Sequence, residues 1–304
     1  MEALIIRPGA LGDTLMLLPS LSNIPEQWTI TFVGRQPGLN FIHDFVKYSM
    51  DLEGPGWHRL FLERPAREGL PVLRTDIAVA FFSDKDGAIN RNLNEYFPHT
   101  PIHLFSSLPV AGEKIHIARY LSNCLKKAGF PVNPQTAFKN ALNRPLISLK
   151  HPSRSRNTVV VHPGSGGLHK NYPHGFWLRL LERLVRERDF QRLTPMILLG
   201  PAEGSLYSFF KENLESIRGE ICFCPDKQTL FRLLGKTGLY LGHDTGITHL
   251  VAMLGIPTIA LFKENNVTQW HPLGPIVSVI QNEKPGASLI EQVIKQTKEL
   301  NRAV

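Results

Sequence analysis

Short apolar runs alternate along the chain with stretches whose apolar residues recur at helical spacing. Residues 3–6 form a continuous apolar run, the pattern of a parallel strand covered on both faces. Residues 28–33, 76–82 and 102–105 read the same way, with a weaker third strand expected over 58–62. Residues 14–21 are nearly all apolar and predict a helix, kinked or shortened by Pro19. A further helix lies between 114 and 128, where Ile117, Tyr120, Leu121, Cys124, Leu125 and Ala128 share one face and Gly129 supplies the stop. Between 130 and 157 the texture changes. Pro131, Pro134, Pro145 and Pro152, followed by Ser153-Arg154-Ser155-Arg156, read as a connector carrying one strand over 146–149. A domain boundary near residue 152 follows.

The alternation then resumes. Strands are expected over 158–161, 196–199 and 221–223, and helices over 176–188, 206–217 and 229–234. Gly219 stops the second of these helices. Residues 239–262 form a strand-turn-helix-strand unit, and Leu289, Ile290, Val293, Ile294 and Leu300 mark a C-terminal amphipathic helix. Alternating β and α elements predict an α/β fold: two doubly wound sheets, 1–152 and 153–304, facing an interdomain cleft. Ligands in such sheets bind at the carboxyl ends of strands.

Size agrees, since 304 residues exceed one typical core. The N-terminus runs straight into a strand without a basic leader, and no apolar run is long enough to span a bilayer. Three cysteines, Cys124, Cys222 and Cys224, are too few for a disulfide scaffold and indicate a reducing cytoplasm; Cys222 and Cys224 are expected as buried free thiols. The formal net charge of +8 indicates an anionic partner: nucleic acid, a membrane surface or a phosphorylated substrate. The densest basic run, 179–192, is interleaved with Glu182, Glu187 and Asp189, and no nucleic-acid-binding motif occurs. Nucleic acid is therefore set aside.

Four stretches carry candidate chemistry. In the first, Asp244 or Thr245 caps the helix that opens at Gly246, where free N–H groups and the positive dipole end suit a phosphate. His249 adds an imidazole there, or simply packs beneath an ordinary capped helix. In the second, Gly164, Ser165, Gly166 and Gly167 follow a strand directly and can wrap a phosphate with N–H groups, while Lys170 supplies a point charge. The third, Gly200-Pro201-Ala202-Glu203, puts a carboxylate beyond a strand end, suited equally to ribose hydroxyls and to capping. In the fourth, Arg7-Pro8-Gly9-Ala10-Leu11-Gly12-Asp13 lacks a full dinucleotide fingerprint, and Asp13 suits a general base, a helix cap, or both. Asp84-Lys85-Asp86 reads as a solvated helix start rather than a metal site, and the histidines show no zinc spacing.

In this order, Gly12-Asp13, His162-Pro163-Gly164-Ser165-Gly166-Gly167 with Lys170 and Pro173, Gly200-Pro201-Ala202-Glu203, and Asp244-Thr245-Gly246-x-x-His249 with Gly255-x-Pro257 resemble glycosyltransferase family 9, the lipopolysaccharide heptosyltransferases. The resemblance implies a GT-B fold and inverting transfer without an essential metal or cofactor. It implies a nucleotide-diphosphate sugar donor, ADP-heptose above all, and an anionic glycolipid acceptor at the inner membrane surface. Carried over by position, Asp13 is the base and Lys170 the donor-phosphate residue. Ser165, Gly166, Gly167, Glu203, Asp244, Thr245, Gly246 and His249 hold the donor, with Arg7 and Gly12 on the acceptor side. The chain departs from the family pattern at Gly9-Ala10, Tyr172, His243 and 263–266. A nucleotide-sugar epimerase on the same fold and a binding module without turnover are the alternatives.

Overall fold

The computed structural model describes residues 1–72, 74–149, 153, 155–264 and 266–303. The chain divides into two compact units, Met1–Asn140 and Ala141–Val304. The sequence boundary at Pro152 lies outside the described residues.

In the first unit, β1 (Glu2–Ile6) leads through α1 (Leu11–Leu15) and α2 (Leu18–Leu21) to β2 (Thr29–Gly34) and β3 (Tyr48–Asp51). Then follow β4 (Ile77–Phe81), α3 (Ala88–Tyr96), β5 (Ile102–Phe105), α4 (Ile117–Lys127) and α5 (Pro134–Asn143). The strands form one parallel sheet in the order β3-β2-β1-β4-β5. β1 is central, and its apolar run is buried from Ala3 to Ile6, as a strand covered on both faces requires. Because chain order reverses beside β1, the crevice at the carboxyl ends of β1 and β4 is a topological switch point.

The second unit runs β6 (Thr158–His162), α6 (His174–Val185), β7 (Thr194–Leu199), α7 (Tyr207–Asn213), β8 (Glu220–Phe223) and α8 (Lys227–Gly235). It continues with β9 (Thr237–His243), α9 (Gly246–Met253), β10 (Thr258–Phe262), α10 (Val267–Trp270), β11 (Val277–Gln281) and α11 (Ala287–Ala303). Its parallel sheet has the order β11-β10-β9-β6-β7-β8. The switch falls between β6 and β9, whose ends pair at His162 and Gly242. Phe176, Trp177, Leu180, Leu181 and Leu184 of α6 pack with Val293 and Ile294 of α11 in one buried cluster with the strands. Alternating β and α elements thus build two Rossmann-like units.

Several local expectations are corrected. Residues 58–62 form no strand: Trp57–Phe61 is a 3₁₀ helix entered through Gly56 at φ 89°, with Trp57 and Leu60 buried. The third strand is β3, whose half-exposed polar character hid it from an apolar pattern. The helix over 14–21 is two short helices, with Pro19 in the first turn of α2, where its missing N–H costs nothing. Residues 146–149 are not a strand, since the Leu146 and Ile147 N–H groups both donate to the Met253 carbonyl. The proline-rich connector contains α5, capped by the Asn133 side chain, which accepts from the Gln135 and Thr136 N–H groups at 3.0 Å. The helix over 206–217 is α7 flanked by 3₁₀ turns at Pro201–Leu206 and Glu215–Ile217. Cys222 and Cys224 are not buried: they lie at the edge strand β8, half-buried and exposed.

Candidate functional site

At the carboxyl end of β1, the turn Pro8–Ala10 leads into α1, and Asp13 stands in that helix's first turn. Its Oδ2 accepts the Ala10 N–H at 3.0 Å, so the capping role is present. The side chain keeps 29% exposure, so the carboxylate also meets solvent. Gly9 makes this geometry possible: a Cβ there would lie 2.4 Å from the Asp13 Cβ. Arg7, expected on the acceptor side, is only 2% exposed. Its Nη2 faces Asp13 Oδ1 at 3.3 Å, and its Nε–H donates to the Asp13 carbonyl at 3.1 Å. Gly12 lies within α1, where its carbonyl accepts the Met16 N–H.

The remaining candidates gather at the carboxyl ends of β6, β7 and β9. After β6, Ser165 is buried, its Oγ 2.6 Å from Asn171 Oδ1 and 2.9 Å from the Gly167 carbonyl, so this hydroxyl braces the loop. Gly166 is exposed, and a Cβ there would meet nothing within 4 Å, which leaves its backbone open to a ligand. After β7, Glu203 is buried against Gly164, where a Cβ would lie 2.2 Å from its carboxylate. Glu203 Oε2 accepts the Gly200 N–H at 2.8 Å, so one oxygen is committed to the capping role.

After β9, Thr245 caps α9, its Oγ1 accepting the Thr248 N–H at 3.3 Å. The first-turn N–H groups of Gly246 and Ile247 have no partner within the helix. Asp244 is the hub. Its Oδ2 accepts from Lys170 Nζ at 3.2 Å and Asn266 Nδ2 at 3.0 Å, and its Oδ1 faces His249 Nε2 at 3.4 Å. Burial alone would raise the Asp244 pKa; the bond and charge of His249 and the Lys170 ammonium outweigh it, and the net shift is downward. His249 is 2% exposed, and its other nitrogen, Nδ1, is buried with no hydrogen-bond partner among the described residues. The structure therefore joins Lys170, Asp244 and His249 in one cluster.

Sequence reasoning missed Asn266, whose only signal was the departure from the family pattern at 263–266. It also left His243 without a role. That ring is fully buried between Tyr172 and Trp177, accepting the Tyr172 N–H on Nε2 at 2.9 Å and facing the Leu261 carbonyl through Nδ1 at 3.4 Å. Burial pushes its pKa down to about 3, so the neutral ring is a strut between the end of β9 and the loop after β6. Asp84 accepts the Ile89 and Asn90 N–H groups at 3.2 and 2.9 Å, as the start of a helix does. Among the described residues, no three His, Cys, Asp or Glu side chains are grouped to hold a metal ion, and no helix is long and apolar enough to cross a membrane.

Residues 101–298 match the profile of glycosyltransferase family 9 (heptosyltransferase). The chain belongs to glycosyltransferase family 9. Solved structures repeat its architecture end to end. E. coli heptosyltransferase WaaC with ADP is 14% identical with a TM-score of 0.69, the match covering 99% of this chain and 100% of that one. A family 9 glycosyltransferase from Veillonella parvula is 14% identical with a TM-score of 0.69, covering 100% and 98%. E. coli ADP-heptose lps heptosyltransferase II is 16% identical with a TM-score of 0.69, covering 99% and 98%. No curated protein matches the sequence. The fold is GT-B, two Rossmann-like domains, and the chain is a glycosyltransferase of the heptosyltransferase family.

Proposed function

We propose that this glycosyltransferase moves a heptose from ADP-heptose to a lipopolysaccharide-core or related anionic glycan, inverting the anomeric carbon without a metal or cofactor. The observation that carries the reading is the Lys170 ammonium held 3.2 Å from Asp244, beside the open first turn of α9. A cation, free N–H groups and a helix dipole together stabilise a diphosphate in both bound and departing states. The E. coli WaaC structures with ADP and with ADP-2-deoxy-2-fluoro heptose support this choice of donor.

In the reaction, Asp13 takes the proton from an acceptor hydroxyl while that oxygen bonds to the anomeric carbon. The bond from that carbon to the donor phosphate breaks, and its electrons leave on the nucleoside diphosphate. Lys170, the glycine-loop N–H groups after β6 and the first turn of α9 hold the charge growing on the leaving group. Ser165 keeps the loop in shape, and Glu203 offers its second oxygen to the ribose. Charge is divided unequally: the first unit carries 14 Lys and Arg against 13 Asp and Glu, the second 20 against 13. The positive excess therefore belongs to the unit assigned to the donor phosphates, and an anionic membrane surface would meet it there.

Labelled ADP-heptose incubated with a lipopolysaccharide-core acceptor, in the presence of EDTA, tests this. The expected result is a transferred sugar of inverted configuration. Epimerised free donor without transfer, or activity lost to EDTA and restored by Mn²⁺, would replace the reading.

A further inference from the structure

Arg7 occupies an unusual place for a cation, nearly sealed from solvent beneath the Asp13 turn with its guanidinium 5.3 Å from the Phe81 ring centroid. Burial lowers its pKa, and Asp13 opposes that shift through its charge. Three of its N–H groups are spoken for. Nε donates to the Asp13 carbonyl at 3.1 Å and Nη2 to Asp13 Oδ1 at 3.3 Å. The third, Nη1, donates to the Ser107 carbonyl at 3.0 Å, in the loop after β5. That loop is fixed in turn by the Ser107 hydroxyl on the Phe81 carbonyl at 3.0 Å and the Tyr120 hydroxyl on the Ser106 carbonyl at 2.9 Å. With the Ala10 N–H on Oδ2, both Asp13 oxygens carry a donor and the carboxylate cannot rotate freely.

We infer that Arg7 is a positioning residue for the transfer reaction: it orients the Asp13 carboxylate and ties the Asp13 turn to the loop after β5. It does not touch the acceptor, because no part of it reaches solvent to a useful degree. A single fork gripping backbone and side chain of the same aspartate is geometry a lysine cannot reproduce, since an ammonium is a compact point charge. The role rests on the reading of Asp13 as the base.

The test combines Arg7→Met, Arg7→Lys and Asp13→Asn in a double-mutant cycle. A carboxylate displaced by an ångström loses about a hundredfold in rate. Arg7→Met is therefore expected to lower kcat about a hundredfold while leaving the dissociation constant for ADP unchanged, with Arg7→Lys recovering part of the rate. In an Asp13→Asn background, Arg7→Met should cost no further activity, because Arg7 acts only through Asp13. Melting gives an arm that needs no substrate. Asp13→Asn alone strands a buried cation, so the double variant should melt above that single variant. If Arg7→Met keeps kcat within twofold, or costs as much in the Asp13→Asn background as alone, the inference is overturned while Asp13 remains the base. Near-normal turnover in Asp13→Asn alone would overturn the reading of the base itself, a distinct outcome. Should Arg7→Met fail to fold, Arg7→Lys and the double variant still decide the matter.

Discussion

Two aspartates stand after central strands, one in each unit, in unlike surroundings. Asp13 follows β1, keeps 29% side-chain exposure and, among the described residues, pairs with one cation, Arg7. Asp244 follows β9, keeps 9%, and is surrounded by Lys170, His249 and Asn266. The donors around Asp244 hold its pKa below the ordinary carboxylate range despite burial. A carboxylate in that setting stays ionised and organises cations; it is a poor place to deliver a proton. Asp13 keeps part of its carboxylate toward solvent. In the proposed reading the environment, and not the residue type, separates a base from a binding hub.

The contrast breaks most readily at Asp13. Asp13→Asn keeps the size and capping contact of the side chain but cannot accept a proton, so steady-state turnover should fall about 10²- to 10⁴-fold. ADP affinity, measured by calorimetry, should hold. Turnover near the wild-type value would remove Asp13 from its role.

A smaller effect concerns the strut beneath the Asp244 cluster. The His243 pKa lies near 3 in the folded protein, against about 6.5 when unfolded. Between those values the unfolded chain binds more protons, so stability is full above pH 6.5 and declines as pH falls through this window. At pH 5 the loss from this ring is about 2 kcal/mol. His162, pushed down by burial as well, adds in the same direction. Denaturant midpoints between pH 7.5 and 5 should show the decline, and His243→Asn should flatten it. An unchanged slope in that variant would assign the acid sensitivity elsewhere.

Smallest is Glu203→Ala, which removes the contact to the Gly200 N–H and should cost about 1 kcal/mol of stability. It should also weaken adenosine and ADP by similar factors, read by titration calorimetry. A loss confined to ADP would tie Glu203 to the phosphates instead of the ribose.

The contrast also marks how far the sequence could be read. Strands 3–6, 158–161 and 239–241 were plain because central parallel strands are apolar on both faces. β3 and β11, at sheet edges, carry polar or half-exposed residues and escaped the same filter. The turn chemistry of Asn133-Pro134 reads as a connector until α5 shows it to be a cap and a first-turn proline. At the site, the ordered motifs brought out Lys170, Asp244 and His249, yet the convergence of Lys170 and His249 on the Asp244 carboxylate depends on contacts between segments distant in sequence. Arg7 shows the same limit. The resemblance put it on the acceptor side; its contacts to the Asp13 carboxylate and to the carbonyl of Ser107, a residue far along the chain, were not legible in the sequence.

The most direct measurement is calorimetric titration of ADP and of adenosine into the wild-type protein and into Lys170→Ala. A charge-assisted contact contributes about 1.5–3 kcal/mol. ADP affinity should therefore drop about 10- to 150-fold in the variant, while adenosine affinity should hardly move. Equal losses for both ligands would mean that the loop after β6 is structural and that the donor diphosphate binds elsewhere.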